Sequence, residues 1–438
     1  MKECGKAVSL YNRILYIYRS ALDGHHENIP EYADLIRDEK YILAYDVITR
    51  MTNLNEESYR AMTKAQEAQH VVIAVDKAFR SWARAVASWK KDKSKFKAMP
   101  KPPSYKKKEV NGGTYPIEFT YMDAKLKKDG RIFIKRDFCL PIKTKVEKLQ
   151  LVRIVPVIGG VNIEVVYNKE ILKSEANLER AIGIDLGLNN LAAITSNVNA
   201  PTVLVNGRPL KSIHQYYSKK KAKLQAELAH QGMKSSRKLR RLQRKRNHKM
   251  KDYLHKVSSR IVDFMKAHDI GTCIVGHNYW WKTQVELGKR NNQIFSGIAH
   301  TQLINLLRYK IEEFGGKLVE IHESHTSKCS FLDNEKICHH DSYVGNRKKR
   351  GMFITAKGIM LNADVNGSLN IIRRATGYTF EPDKSIFNPR FLDVECANMK
   401  PLSHSQAVIS GRSAGLALDS VSDAIGVESL SPVLDAVV

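Results

Sequence analysis

Three acidic side chains stand where a carboxylate can do metal chemistry. Asp185 interrupts the apolar run Ala181-Ile182-Gly183-Ile184, Glu323 closes "KLVEIHES", and Asp364 sits in "NADVNG" just ahead of an apolar helical run. A carboxylate in an apolar strand is costly unless its charge is compensated. Acids gathered at the tips of neighbouring elements can hold two Mg²⁺ ions, which activate a water and stabilise the leaving oxygen of a phosphodiester. Each acid alone also has a plainer reading. Asp185 can be a strand-end turn acid before Gly187, and Asp364 can be a helix N-cap. The middle acid is the hard one, because the strand "TCIVGHN" carries Gly276 where a glutamate is expected. If the next strand is its parallel neighbour, the two lie about 4.8 Å apart, within reach of the Glu323 side chain. Glu320, three residues earlier, falls on the opposite face by alternation.

The elements that must position these acids follow from periodicity. Residues 1–90 read as helices, with Leu10, Ile14 and Ile17 and then Val72, Val75 and Phe79 at helical spacing. A basic, proline-interrupted connector follows, and then four strands, "PIEFTY", "RIFIKR", "LQLVRIV" and "VNIEVVY". From 181 the order is strand, strand, strand, then two long helices at about 211–230 and 236–268. A strand, a helix at about 298–314, a strand, a basic segment and a closing helix complete it. Three strands followed by α/β alternation, with acids at the strand tips, is the ribonuclease H-like layout. The tail from 377 has weak periodicity and is expected to be disordered.

The chain has 438 residues, with Lys+Arg 72 against Asp+Glu 45, a net charge of +27. An excess that large predicts a polyanion partner, with nucleic acid ahead of a membrane surface. No apolar run is long enough to span a bilayer, and "MKECGKAVSL" lacks a signal-peptide pattern, so a cytoplasmic protein is expected. Six scattered cysteines argue against a disulfide framework. In "KSSRKLRRLQRKRNHKMKDYLHK", Arg237, Arg240, Arg241, Arg244 and Arg246 are the candidates for phosphate contact along a duplex. Arg347, Lys348, Lys349 and Arg350 in "NRKKRG" suit a single strand near the acids, and Trp281 suits stacking on a base.

Together, "GIDLGLNNLAAITSN", "VGHNYWWKTQ", "NNQIFSGIAHTQLINLLRYKIEEFGGKLVEIHESHTSKCSFLDNE", "RKKRGMFITAKGIMLNADVNGSLNIIRRA" and "FKAMPKPPSYKKK" resemble the TnpB family. These are transposon-encoded RNA-guided nucleases related to type V CRISPR effectors and Fanzor proteins. The resemblance covers about residues 5–376. It implies a RuvC-like α/β nuclease domain, an N-terminal helical lobe and a wedge β-barrel. It also implies a guide RNA from the transposon end and double-stranded target DNA cut beside a short adjacent motif. One branch of the family carries the nuclease glutamate at the "E-S-x-T-S" position, here Glu323 before Ser324, Thr326 and Ser327. Asp185, Glu323 and Asp364 are therefore assigned as the Mg²⁺ triad.

The expected division is 1–108 helical lobe with basic connector, 109–175 wedge barrel, and 176–324 RuvC nuclease with a helical hairpin insertion at 211–268. Next come 325–357 as an insert binding target nucleic acid, 358–376 as the closing helix, and the tail. A nucleoid-associated monomer or dimer is expected. The family's first wedge strand has no counterpart before "ECGKAVSLYN". Many relatives carry a four-cysteine zinc site between the last two acids. Here Cys329 and Cys338 precede His339 and His340, and C-x8-C-H-H is poor spacing for a tetrahedral site, so zinc is not expected. Gly276 keeps open a nuclease-dead, RNA-guided DNA binder. A DNA-joining transposase ranks last.

Overall fold

The computed structural model describes residues 2–38, 41–107, 113–135, 138–169, 176–277, 297, 299–349 and 351–394. Its residues fall into two compact units, within Met1–Lys169 and Glu170–Ala417.

In the first unit, α1 (Lys2–Asp23), α2 (Ala44–Asn53), the single turn α3 (Glu57–Arg60) and α4 (Ala65–Lys91) form the helical part. Leu10, Ile14 and Ile17 of α1 are fully buried, as are Val72 and Val75 of α4, so the apolar stripes face one another. The connector beyond α4 is tied down, with Trp82 Nε1 donating to the Pro100 carbonyl at 3.0 Å and Arg19 Nη2 to that of Pro103 at 2.7 Å. Strands β1 (Ile117–Thr120), β5 (Leu151–Val157) and β6 (Gly160–Val166) form one antiparallel sheet in the order β1-β5-β6. Strands β2 (Lys125–Leu126), β3 (Arg131–Lys135) and β4 (Phe138–Lys143) form another. The two-residue β2 and the Pro-containing β4 carry too little alternation to read from sequence. Helices and strands of this unit share one core, in which Ile14 and Val75 belong with Phe119, Ile132 and Val152.

The second unit is built on a six-stranded mixed sheet. Strands β7 (Ala181–Leu186), β8 (Asn190–Ser196) and β9 (Val203–Asn206) form an antiparallel meander. The hairpin of α5 (Arg208–His230) and α6 (Arg237–Ala267) leads to β10 (Thr272–Gly276), parallel to β7. Helix α7 (His300–Glu313) then crosses to β11 (Lys317–Ile321), parallel to β10. Three short strands, β12 (Asn346–Lys349), β13 (Met352–Ile354) and β14 (Met360–Asn362), form an antiparallel sheet ahead of α8 (Ala363–Thr376). The main order is β11-β10-β7-β8-β9-β15, with β15 being Arg390–Phe391. With β7 counted as strand one, its first five members run 5-4-1-2-3, the ribonuclease H-like order.

Alternation decides what each face of this sheet sees. Ile182, Ile184 and Leu186 join the core with Leu254, Val257 and Leu307 of α6 and α7. Ala181, Gly183 and Asp185 therefore face the other way, towards α8. That helix rests on β7 at close range. Ser368 Oγ donates to the Gly183 carbonyl at 2.7 Å, and a Cβ at Gly183 would lie 2.7 Å from Ile372 Cγ1.

The expected tail boundary at 377 is corrected by the structure. A 3₁₀ turn, Lys384–Phe387, packs Ile386 into the core, and β15 (Arg390–Phe391) adds to the sheet edge parallel to β9. One turn and a two-residue strand give no period to detect.

Candidate functional site

Asp185, Glu323 and Asp364 come from three elements, and the fold brings their charges together. Asp185 is the last α8-facing residue of β7. A Cβ at Gly367 of α8 would overlap Asp185 Oδ2, so only glycine there lets the helix approach the carboxylate. Burial, then the charge of Asp364, then that of Glu323 push the Asp185 carboxyl well above its usual range, and Arg347 acts weakly the other way. Burial likewise raises Glu323 to about 7.

Glu323 stands beside Gly276. A Cβ at 276 would lie 3.0 Å from Glu323 Oε2, 3.2 Å from Glu323 Cβ and 2.6 Å from Ile371 Cδ1. The space that a side chain on β10 would fill is thus filled by the glutamate from the segment after β11. The turn following Glu323 holds it. Thr326 donates to the Glu323 carbonyl from its backbone N at 3.2 Å and from Oγ1 at 2.8 Å. Asn370 Nδ2 of α8 donates in turn to the Thr326 carbonyl at 2.8 Å. Glu320 behaves as alternation requires. It pairs on the other face with Arg308 and, at 3.0 Å, with His277 Nδ1.

Asp364 is not the N-cap of α8. That position belongs to Asn362, whose side chain accepts from the Asp364 backbone N at 2.9 Å. The Asp364 carboxylate instead accepts from Asn190 Nδ2 at 2.9 Å and lies 3.6 Å from Arg347 Nη2. Asn190, at the start of β8, was missed in the sequence, where a single Asn after a turn carries no signal. Asn366 and Asn370 both donate to the Cys329 carbonyl, fastening the 326–331 loop to α8.

The basic candidates divide. Arg237, Arg240, Arg241 and Arg244 lie on the exposed N-terminal half of α6. Arg246 does not join them. Its guanidinium turns onto α5, donating to His214 Nδ1 at 3.2 Å and to the Gly297 carbonyl, and lies over the Tyr217 ring. Burial lowers its pKa. The reason is spacing, since Arg246 falls on the inward stripe of Leu239, Met250 and Leu254. Arg347 and Lys348 are exposed on β12, Arg347 beside Asp364, and Lys349 ends that strand. Arg350 and Trp281 lie outside the described residues.

The cysteine cluster also departs from its linear spacing. Single ligand atoms of Cys329, Glu335 and His340 lie within 4.8 Å of one another, and Cys338 Sγ is 3.3 Å from His340 Nε2. Cys338 is not part of that three-residue group, and His340 Nε2 also lies 2.7 Å from the Lys336 carbonyl.

Fold and site together define an α/β protein of ribonuclease H-like strand order with three carboxylates gathered on the α8 side of its sheet. Residues 161–282 match the OrfB_IS605 family model, described as a probable transposase, and residues 300–371 match the Cas12f1-like TNB domain. The TnpB-like protein ORF457 of Acidianus two-tailed virus is 26% identical over 218 residues. That match covers 48% of this chain and 44% of the viral protein, so the chain spans less than half the length of this relative. Among solved structures, a Cas12f1–sgRNA–target DNA complex matches at 16% identity, covering 83% of this chain and 93% of that one. A CRISPR-Cas12f ternary complex matches at 14%, covering 84% and 81%. Both have TM-scores of 0.34, too low to establish a common fold. Over these segments the chain is similar to the OrfB_IS605 and Cas12f1-like family models and to a TnpB-like viral protein.

No helix among the described residues is long and apolar enough to cross a membrane.

Proposed function

We propose that this protein is an RNA-guided DNA endonuclease of a transposable element, cutting target DNA beside a short adjacent motif by two-metal hydrolysis. The observation that carries the reading is the convergence of Asp185, Glu323 and Asp364, with Asp185 pushed up by burial and then by the charges of Asp364 and Glu323. Three oxygen donors that repel one another fit a hard divalent cation, and a few carboxylates with room for water and phosphate suit Mg²⁺. When bound, Mg²⁺ would lower the pKa of the attacking water and offset charge on the leaving oxygen. The rest belongs to the chain. Gly276 makes room for Glu323, and Asn370 and Thr326 fix the turn that carries it. Asn190 orients Asp364, and Arg347 beside it is placed to hold a target phosphate.

The exposed arginines of α6 would track the guide–target duplex by shape and backbone, leaving sequence to base pairing. The guide RNA itself comes from the family resemblance and from the net charge of +27. Gly276 by itself favoured a binder that does not cut. With Glu323 in the space beside it, the glycine becomes a condition of the site. The test is cleavage of a matched DNA by protein purified with its RNA, with and without Mg²⁺, for wild type, Asp185→Ala and Glu323→Ala. Cutting by the wild type alone is expected. Equal cutting by all three removes the triad. Guide-dependent binding with no product at any Mg²⁺ concentration leaves a binder.

A further inference from the structure

Helix α7 is tied by hydrogen bonds to two segments that carry acids of the site. At its first residue, His300 is fully buried, and its Nε2 lies 3.0 Å from the Gly187 carbonyl. A carbonyl only accepts, so the ring carries a proton on Nε2 and donates it. Gly187 stands two residues after Asp185, in the turn between β7 and β8. Three residues further on, the same turn delivers Asn190, whose amide donates to Asp364. One hydrogen bond from His300 therefore bears on the placement of two acids. Other bonds close the turn on itself and onto its neighbours. Gly187 N donates to the Leu191 carbonyl at 3.2 Å, Gly207 N to that of Asn189 at 2.8 Å, and Lys211 Nζ to Asn189 Oδ1 at 2.6 Å.

About two turns along the helix, Arg308 pairs with Glu320, three residues before Glu323. Glu320 is shared with His277 Nδ1 at 3.0 Å. The His277 backbone N donates to the Ile321 carbonyl at 2.9 Å, so the ends of β10 and β11 are joined beside Gly276. Between the two polar contacts α7 buries Leu303, Ile304, Leu307 and Ile311. Apolar packing presses the helix onto its neighbours without direction. Hydrogen bonds are directional and fix where it stands along its own axis.

We propose that His300 and Arg308 are positioning residues, through which α7 sets the spacing between the Asp185 turn and the Glu323 strand. The inference rests on the metal reading of the three acids given above. His300 acts through the Gly187 main chain, and its loss lets Asp185 and Asn190 shift together. Partners that orient metal ligands change cation affinity about 10–100-fold, and one acting through the main chain belongs at the lower end, about tenfold. Arg308 is 38% exposed, so its ion pair is screened and about threefold is expected.

The test is calorimetric titration of the metal-free protein with Mn²⁺, with single-turnover cleavage and Tm measured alongside. His300→Leu keeps the volume and removes the donor, and should weaken Mn²⁺ binding about tenfold. His300→Gln returns an N–H near the Nε2 position and should bind within about threefold of the wild type. Ile311→Val trims the apolar face of the same helix, and should lower Tm with Mn²⁺ affinity unchanged. Wild-type affinity in His300→Leu overturns the proposal. So does His300→Gln binding no better than His300→Leu, or Ile311→Val weakening the cation as much, because affinity would then merely follow stability. If His300→Leu does not fold, Arg308→Met decides, with weaker Mn²⁺ binding supporting the proposal and unchanged binding overturning it. A wild type that takes up no Mn²⁺ removes the metal reading itself. A wild type that binds, with all variants unaffected, removes only the role of α7.

Discussion

Gly276→Ala is the smallest change that separates a glycine required by Glu323 from a glycine of no consequence. The added Cβ would sit 2.6 Å from Ile371 Cδ1 and 3.0 Å from Glu323 Oε2. Optimal carbon contacts are about 3.5–4.0 Å, so Ile371 must retreat by about 1 Å and Glu323 by a few tenths. Overpacking of this kind costs about 1–3 kcal/mol, and the stiffer unfolded chain returns about 0.4–1 kcal/mol. The net loss of about 1–2 kcal/mol should lower Tm by about 2–8 °C for a unit of this size. Misplacing the carboxylate should reduce cleavage by about 100-fold. The assays are differential scanning fluorimetry of metal-free protein, calorimetric titration with Mn²⁺, and single-turnover cleavage. The double variant Gly276→Glu with Glu323→Ser returns an acid to the same space from β10, and should recover activity to within about tenfold. Wild-type Tm, Mn²⁺ affinity and cutting in Gly276→Ala would refute the packing argument. Failure of the double variant to exceed Gly276→Glu alone would refute the shared space.

The raised carboxyls set a pH dependence. Glu323, moved from 4.5 to about 7, keeps its proton in the folded state where the unfolded chain has lost it. The metal-free protein should therefore lose stability as pH rises from about 4.5 to 7, by up to about 3 kcal/mol from this group. Glu323→Gln should flatten that slope in a pH series of denaturation midpoints. Cation affinity should rise over the same interval as protons leave the ligands. Asn190→Ala removes the amide that donates to the Asp364 carboxylate. It should weaken Mn²⁺ binding about 10–100-fold in calorimetry, with Tm nearly unchanged. Arg240→Ala and Arg241→Ala should each reduce the slope of log K against log salt by about 1, read by filter binding. Arg246→Ala should leave that slope alone and lower Tm instead, because its guanidinium is spent on His214 and Gly297.

Much of the nuclease-like unit was legible because its elements are long or strongly patterned. The helices at 208–230 and 237–267, and the strands carrying Asp185 and Gly276, follow directly from apolar spacing. Periodicity also put Glu320 on the wrong face, which left Glu323 as the third acid. The contacts that orient the acids were not legible. Asn190 and Asp364 are 174 positions apart, and no local pattern links them. Arg246 shows the opposite failure, where composition outweighed position. In a run of arginines the one on the inward stripe looks like its neighbours, and only the helix register separates them. Cys329, Cys338, His339 and His340 were judged by linear spacing, which says nothing of Glu335, the residue that folds beside Cys329 and His340.

The short strand after α8 has a practical consequence. Arg390 and Phe391 cap the outer side of β9, where the Arg390 backbone N reaches the Thr202 carbonyl and that of Leu392 reaches Leu204. A protein shortened to end at Thr376, with every acid of the site retained, would bare that rim. Unsatisfied main-chain acceptors flanked by Val203 and Leu204 invite pairing between molecules. Such a truncation would come out of cells clumped rather than merely weakened, and restoring about twenty residues would bring back its solubility.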